Sequence, residues 1–276
     1  MTRFATSLAA LSIALGFARA ASADEPRQLA RTDPAFLAGE FAGSSALALA
    51  LSLGTPGAAA CRWCDPPGFD ASVRNSLVAS DGRPAAVTSH VLALGLTPAV
   101  VIAGLGVPAF SSEHPSYALS DVIIVADATI LLSGIGDFTK KVTGRERPAF
   151  HYGHQGDTEA TTTSRYRSFF SLDTAWAFSI AGAGATLAAE RGYGTAPWIA
   201  GAGAILGVTT GVLRMVADMH YLSDVAVGAA VGAGAGIAFP LLMHPPRASA
   251  DAVPRASFAP VVTPTFVGLA GAGYLD

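Results

Sequence analysis

Three basic residues in the second half of the chain have types suited to binding a phosphoryl group. Lys140 precedes Arg147 by seven residues, and Arg214 follows at the end of a later apolar segment. An arginine guanidinium offers a planar fork of donors that matches phosphate oxygens, whereas a lysine ammonium acts as a point charge. Together such cations stabilise the charge on the equatorial oxygens during phosphoryl transfer. We therefore predict that Lys140, Arg147 and Arg214 bind a substrate phosphate.

A histidine and an aspartate follow Arg214 at helical spacing. His220 and Asp224 are four residues apart, so their side chains share one face if the segment is helical. An imidazole can act as a nucleophile when another group holds its second ring nitrogen and fixes the tautomer. These residues predict His220 as the nucleophile and Asp224 as its orienting partner.

A third polar cluster, Ser171-Leu172-Asp173, stands at the start of the fourth apolar segment. The first N–H groups of a helix lack partners within the helix and bind anions. We expect Ser171 and Leu172 to contact the phosphate there. Asp173 could protonate a leaving oxygen if its carboxyl stayed protonated, which the nearby cations oppose until phosphate neutralises them.

Six apolar segments must position these clusters, and each predicts a long helix. They cover residues 34–54, 86–108, 117–138, 171–189, 195–214 and 221–243. Antiparallel neighbours alternate in direction, so the end of the third, the start of the fourth, the end of the fifth and the start of the sixth share one face. The three clusters therefore converge at one end of the bundle.

The composition favours an all-α, six-helix membrane bundle with its active site at one membrane face. The chain is 51% hydrophobic and 13% charged, against roughly 25% charge in a typical soluble domain. Glycine and alanine recur three and four apart, which lets helices approach closely. A buried soluble bundle is the alternative, although each glycine in a helix costs about 1 kcal/mol. The net charge of −3 argues against a nucleic-acid partner.

Two of the clusters resemble motifs of the superfamily of type 2 phosphatidic acid phosphatases, bacterial class A acid phosphatases and vanadium haloperoxidases. The pattern of that superfamily is K-x6-RP, then PSGH, then SR-x5-H-x3-D. The matching residues are Lys140, Arg147, Pro148, Arg214, His220 and Asp224. Leu213 stands where the family usually has serine. The resemblance covers about residues 86–243 and implies a phosphoric ester hydrolase with a phosphohistidine intermediate at His220.

The second motif departs from this pattern. Ser171 falls on the family's serine, but Leu172 replaces glycine, and Asp173 replaces the histidine that donates a proton to the leaving alcohol in the family. Loss of a general acid typically costs about 10²–10⁴-fold in rate. An active phosphatase and a weakened or inactive phosphate-binding relative therefore both stay open. If the missing histidine is the defect, Asp173→His should raise phosphatase activity.

The two ends of the chain are predicted to lie outside the bundle. Residues 1–23 carry Arg3, an uncharged apolar run and small-x-small sites, which are typical of a signal peptide. An uncleaved anchor is the alternative. Residues 34–246 are predicted to form the membrane domain, and residues 247–276 a tail with one short strand at 261–267.

The remaining polar residues are given other roles. Asp121 and Asp127 are expected to form interhelical hydrogen bonds, because charges within a span need a partner. Cys61 and Cys64 form either a small disulfide or two free thiols, since four ligands are not available for structural zinc. The expected flanking charges and solvated loop residues are Lys141, Arg145, His151 and His154.

Two considerations conflict over which side the site faces. With a cleaved signal and six crossing helices, helix parity puts the site in the cytoplasm, and the basic 139–169 loop agrees. Bacterial relatives in the resembling family usually face the periplasm. Because phosphate binding already explains the loop cations, we expect a periplasm-facing site. The conflict would disappear if the first 20 residues remained as a span, or if 34–54 lay on the membrane surface.

The sequence thus predicts a membrane phosphatase acting on phosphomonoesters or pyrophosphates, with lipid phosphates as the expected substrates. No metal or cofactor is implied, because the cations fill that role. Other possibilities are a non-catalytic phosphate binder, vanadate-dependent halide oxidation on the same cradle, and a purely structural membrane bundle.

Overall fold

The apolar segments form helices whose bounds lie close to those predicted. The computed structural model describes residues 25–154, 156, 158–247, 257–263 and 266–272. The predicted signal peptide, residues 1–23, lies outside the described residues. The helices are α1 (Pro34–Gly54), α2 (Gly68–Leu77), α3 (Arg83–Val91), α4 (Thr97–Ser111), α5 (Pro115–Thr143), α6 (Pro148–His151), α7 (Leu172–Arg191), α8 (Ala196–Val216) and α9 (Leu222–Met243).

Local sequence explains where these helices begin and how two of them join. Pro34 opens α1, where its missing N–H costs nothing, and the Asp33 side chain accepts a hydrogen bond from the N–H of Phe36. A π-helical turn, Leu92–Leu96, carries α3 directly into α4. A 3₁₀ turn, Thr162–Ser164, lies in the loop before α7.

A β-hairpin follows the helices. Strand β1 (Ser257–Thr263) pairs antiparallel with β2 (Phe266–Ala272), and Ser257 lies opposite Ala272. The tail therefore holds two strands in place of the one predicted at 261–267.

α7 is the central helix and packs against α4, α5, α8 and α9. Its contact with α9 is backbone to backbone. A Cβ on Gly232 would lie 2.2 Å from the carbonyl oxygen of Ala175, and one on Gly236 would lie 2.2 Å from that of Ser179. The predicted close packing of small residues is therefore confirmed.

Contacts between helices fix their directions. The Nε2 of His244, after α9, lies 2.9 Å from a carboxylate oxygen of Glu40 early in α1. Lys141, near the end of α5, bonds to the carbonyl of Ser52 near the end of α1. α1 therefore runs parallel to α5. The ends of α1, α5 and α8 and the starts of α3, α7 and α9 share one end of the bundle, called here the site face.

Both ends of the described bundle lie on the face opposite the site face. The N–H of Ala30 donates to the carbonyl of Pro245 at 2.9 Å, and the N–H of Arg27 donates to the carbonyl of Arg191 at 3.0 Å. Residues 25–33 and 244–247 are therefore neighbours, and this arrangement constrains the orientation of the chain in a membrane.

Five helical stretches in the described part of the chain are long and apolar enough to cross a membrane. They are Pro34–Gly54, Arg83–Ser111, Pro115–Thr143, Ala196–Val216 and Leu222–Met243. The fourth predicted segment, 171–189, forms the helix α7, but α7 is not among these five stretches. It is enclosed by other helices and carries Asp173, Glu190 and Arg191 at its ends. The predicted six spans are thus corrected to five candidate spans and a central helix.

The outer faces of the bundle carry large apolar side chains. Leu53, Ile205 and Leu242 are 75%, 69% and 71% exposed. Such faces suit lipid better than water, and together with the five candidate spans they identify a membrane protein. The alternative of a soluble bundle is not supported. α1 packs along α5, so a position on the membrane surface is not supported either.

Two acidic residues within α5 differ in their partners. Asp121 forms a buried ion pair with Arg191, whose Nη2 lies 2.6 Å from its Oδ1, so its predicted interhelical role is confirmed. Asp127 is also buried, but neither of its oxygens has a hydrogen-bond partner among the described residues. Its predicted interhelical hydrogen bond is therefore not formed.

Candidate active site

A polar cavity of about 320 Å³ opens at the site face. The end of α5, the start of α7, the end of α8 and the loops between them contribute its walls. The predicted site residues that line it are Lys140, Arg147, Leu172, Asp173, Arg214 and His220. Clusters far apart in sequence are therefore brought together, as helix parity requires.

His220 lies beside Arg147 in the cavity wall. The Nη1 of Arg147 is 3.2 Å from the Nε2 of His220 and donates to the carbonyl of Met219 at 2.8 Å. Burial, together with the charges of Arg147 and Lys140, holds the pKa of His220 well below its usual value. Burial and the charge of Arg214 lower the pKa of Arg147 to about 10. His220 is therefore neutral at cellular pH and keeps a lone pair for attack.

Asp224 is adjacent to His220 but is bound mainly by other groups. Its Oδ2 lies 3.5 Å from the Nδ1 of His220, a nitrogen without a hydrogen-bond partner among the described residues. The carboxylate instead accepts from Ser168 Oγ at 2.6 Å, the Tyr221 N–H at 2.9 Å and Arg145. The predicted hydrogen bond to His220 is not formed here, because these three donors occupy the carboxylate.

Arg145 belongs to a buried ion-pair network, so its prediction as a flanking charge is wrong. Its Nη2 lies 2.7 Å from Asp70 in α2, and its Nη1 reaches Asp224. The guanidinium also stacks 3.8 Å from the ring centroid of Trp63. The sequence contains no spacing that links residues 70 and 145, so this network could not be inferred from the motifs.

The other predicted flanking residues make local contacts. Lys141 pairs with Asp137 at 3.0 Å and is mostly buried. The Nδ1 of His151 lies 3.5 Å from Glu146. His154 is about half exposed and contacts Arg74.

Cys61 and Cys64 form a disulfide. The pair lies at the site face, because the N–H of Arg62 donates to the carbonyl of Gly144 at 3.1 Å and the N–H of Glu146 donates to that of Trp63 at 3.2 Å. The disulfide therefore borders the segment that carries Arg145 and Arg147.

Lys140 holds the loop of the second motif. Its Nζ donates to the carbonyls of Arg167 at 3.1 Å, Ser168 at 3.3 Å and Phe170 at 2.5 Å. The ammonium group also borders the cavity. Lys140 thus ties α5 to the start of α7 and adds positive charge beside the place for a substrate.

Ser171 lies behind the cavity wall. Its N–H donates to the carbonyl of Asp224 at 3.1 Å, and its Oγ pairs with Thr174 Oγ1 at 2.9 Å. With both donors engaged inside the protein, the arrangement does not favour the predicted phosphate contact. Leu172 does reach the cavity, and its side chain packs on Gly136 of α5.

Asp173 is held between two groups in the cavity. Its Oδ2 lies 3.0 Å from the Nε of Arg214, and its Oδ1 lies 2.8 Å from the Nδ1 of His90. His90 stands on α3 and also lines the cavity. Sequence reasoning missed it because segment 86–108 contains no Asp, Glu, Lys or Arg and therefore shows no charged cluster. The available signal was a histidine within a predicted helix that begins at the site face.

The comparisons with known proteins agree with this geometry. The sequence model of the PAP2 superfamily matches residues 121–247, a stretch that contains every site residue predicted from the motifs. Comparison with curated proteins and with solved structures finds no match. The match over residues 121–247 supports the resemblance of this region to the PAP2 superfamily, and it suggests phosphatase-type activity.

Proposed function

We propose that this protein is a membrane phosphatase that hydrolyses lipid phosphomonoesters or pyrophosphates through a phosphohistidine at His220. The observation that carries the proposal is the buried His220, whose Nε2 lies 3.2 Å from the Nη1 of Arg147 in a cavity lined by Lys140, Arg147 and Arg214. A neutral imidazole is the nucleophilic form, and the adjacent guanidinium would bind the phosphoryl group that it attacks.

The proposed reaction has two steps. In the first, the Nε2 lone pair of His220 forms a bond to phosphorus, and the bond from phosphorus to the leaving oxygen breaks. Arg147, Arg214 and Lys140 would stabilise the charge on the equatorial oxygens. In the second, a water oxygen bonds to phosphorus and the N–P bond breaks, which returns the lone pair to His220 and releases phosphate.

Lipid substrates are proposed because of where the cavity lies. It opens at the end of a bundle with five candidate spans. Leu172, Trp176 and Met219 add apolar surface to the cavity wall. A phosphate headgroup could enter the cations while its acyl or isoprenyl chains stay beside the apolar helices.

The proposed orientation places the site face in the periplasm. The Cys61–Cys64 disulfide supports this orientation, because it lies at the site face and disulfides persist in oxidising compartments.

A phosphate-binding protein without turnover is the second candidate. It is favoured by one observation, namely that Asp173, at the position of the family's proton donor, is ion-paired with Arg214. Such a carboxylate has no proton to donate. This candidate would keep the cationic cavity and lose the reaction.

Phosphate release by the purified full chain in detergent micelles distinguishes the two candidates. The substrates are a diacylglycerol phosphate, an isoprenyl pyrophosphate and a nitrophenyl phosphate, with His220→Ala as the blank. We expect release from a lipid substrate that the His220→Ala variant loses. Orthovanadate binding without any His220-dependent release would favour the binding protein.

A further inference from the structure

An imidazole from another helix reaches the cavity where the second motif lacks one. The His90 side chain is 45% exposed and lines the same cavity as His220. Its Nδ1 lies 2.8 Å from Oδ1 of Asp173, and its Nε2 lies 3.8 Å from Oε2 of Glu159. The ring is therefore anchored on one nitrogen, and the other is directed away from Asp173.

We propose that His90 is the general acid and base of this site and that Asp173 is its positioning residue. The inference rests on the proposed phosphatase function. It assigns the proton transfer to a helix outside the three motifs. The His90 imidazole on α3 thus lies beside Asp173, the position where the family's second motif has its histidine.

The surroundings of Asp173 suit it to orienting His90. Its two oxygens face two groups, the Nε of Arg214 at 3.0 Å and the Nδ1 of His90 at 2.8 Å. Both interactions favour the carboxylate, and the carboxylate in turn stabilises the protonated imidazole. Asp173 thus places its negative charge beside Nδ1 of His90 and leaves the Nε2–H as the proton available for transfer.

The charged groups that face His90 come from three elements. Asp173 belongs to α7, Glu159 to the loop before α7, and Arg214 to α8. The two carboxylates favour the protonated ring and the guanidinium opposes it. Asp173 is the nearest of these groups, at 2.8 Å, and its negative charge stabilises the protonated ring that the proposal requires.

The proton balance closes over the two steps. As His220 attacks, the bond from phosphorus to the leaving oxygen breaks with its electron pair on oxygen, and that oxygen takes the Nε2 proton of His90. His90 is then neutral. In the second step it accepts a proton from the attacking water while the N–P bond returns its electrons to His220. Alcohol and phosphate leave, and both histidines regain their starting states.

The test uses the dependence of the reaction on the leaving group. Kinetics of the full chain in micelles are compared for a lipid phosphate, whose alkoxide must be protonated, and nitrophenyl phosphate, whose phenolate leaves without a proton. We expect His90→Gln to lower kcat/KM, which reports formation of the phosphohistidine, by about 10²–10⁴-fold for the lipid phosphate and by less than about tenfold for nitrophenyl phosphate. The matched control is His151→Gln, which changes a histidine beside Glu146 outside the cavity.

Two further measurements separate catalysis from folding. Because His90 is half exposed, His90→Ala should unfold near the wild-type temperature, and added imidazole should restore part of its turnover of lipid phosphate. An equal loss of kcat/KM on both substrates, or no loss on either, would overturn the assignment. If instead the wild type shows no His220-dependent release from either substrate, the proposed function itself fails.

Discussion

Asp173 occupies the position where the resembling family has its proton donor, yet here it is an ion-paired carboxylate. Its two oxygens contact Arg214 and His90 at 3.0 and 2.8 Å. These contacts change how the replacement of the family's histidine by Asp173 is interpreted. The sequence alone suggested a missing histidine that Asp173→His would restore, whereas the structure gives the carboxylate two partners that an imidazole could not serve in the same way.

We now expect Asp173→His and Asp173→Asn to lower phosphatase activity. Both remove the carboxylate that orients His90, so kcat/KM for a lipid phosphate should fall by at least about tenfold. For Asp173→Asn, the loss should be smaller on nitrophenyl phosphate, because its phenolate leaves without the proton that His90 supplies. The measurement is kcat/KM on both substrates for each variant. A rise in turnover with Asp173→His would contradict this role of Asp173.

The motifs predicted the residues whose spacing is local. Lys140, Arg147, Arg214 and His220 line one cavity as the sequence indicated. Sequence spacing predicts which residues are neighbours within one helix end, and the alternating direction of the helices then places the separate clusters at one end of the bundle. Contacts between distant segments are not encoded in this way. The interaction of His90 with Asp173 spans 83 residues, and the ion pair between Asp70 and Arg145 spans 75.

At the scale of elements, the site depends on how closely α9 approaches α7. The carbonyl of Ser171 would lie 2.5 Å from a Cβ on Gly228, and Gly232 and Gly236 continue this contact one and two turns on. α9 begins beside His220, so its distance from α7 sets the separation of the second and third motifs.

A methyl group at Gly232 should therefore destabilise the bundle. Alanine normally stabilises a helix by about 1 kcal/mol over glycine, but overpacking costs about 1–3 kcal/mol. At Gly232 the new Cβ would lie 2.2 Å from the carbonyl of Ala175, so we expect Gly232→Ala to lower Tm in detergent. Gly234→Ala is the matched control, since the described residues leave open space within 4 Å of its Cβ. Equal Tm values for the two variants would contradict this packing.

The helices were predictable from apolar runs and flanking prolines, but the count of spans was not. α7 resembles its neighbours in length and small residues, but it is not apolar enough to be among the candidate spans. Apolar periodicity reports that a face is buried and not whether lipid or protein buries it.

The arrangement of the whole bundle bears on the conflict between a cleaved signal peptide and a periplasm-facing site. Six long helices place residues 25–33 on the face opposite the cavity. An exported N-terminus would therefore put the site in the cytoplasm, and a periplasmic site requires a cytoplasmic N-terminus. A cleaved signal over residues 1–23 and a periplasmic site are thus incompatible in this arrangement. The disulfide at the site face favours the periplasmic site.

Two single cysteines test this orientation in intact bacterial spheroplasts. Thr162→Cys lies in the exposed loop at the site face, and Ser116→Cys lies at the exposed start of α5 on the opposite face. Both are made with Cys61→Ser and Cys64→Ser. We expect an impermeant thiol reagent to label the first variant in intact spheroplasts and the second only after permeabilisation. The reverse pattern would place the site in the cytoplasm.

Trapping the phosphohistidine at His220 tests the proposed mechanism. The full chain in micelles is mixed with a substrate carrying labelled phosphate, quenched within its first turnover and divided between acid and alkali. We predict a protein-bound label that is lost in acid and kept in alkali, and that is absent from His220→Ala. Turnover of the substrate without such a label, or a label that persists in His220→Ala, would contradict the proposed mechanism.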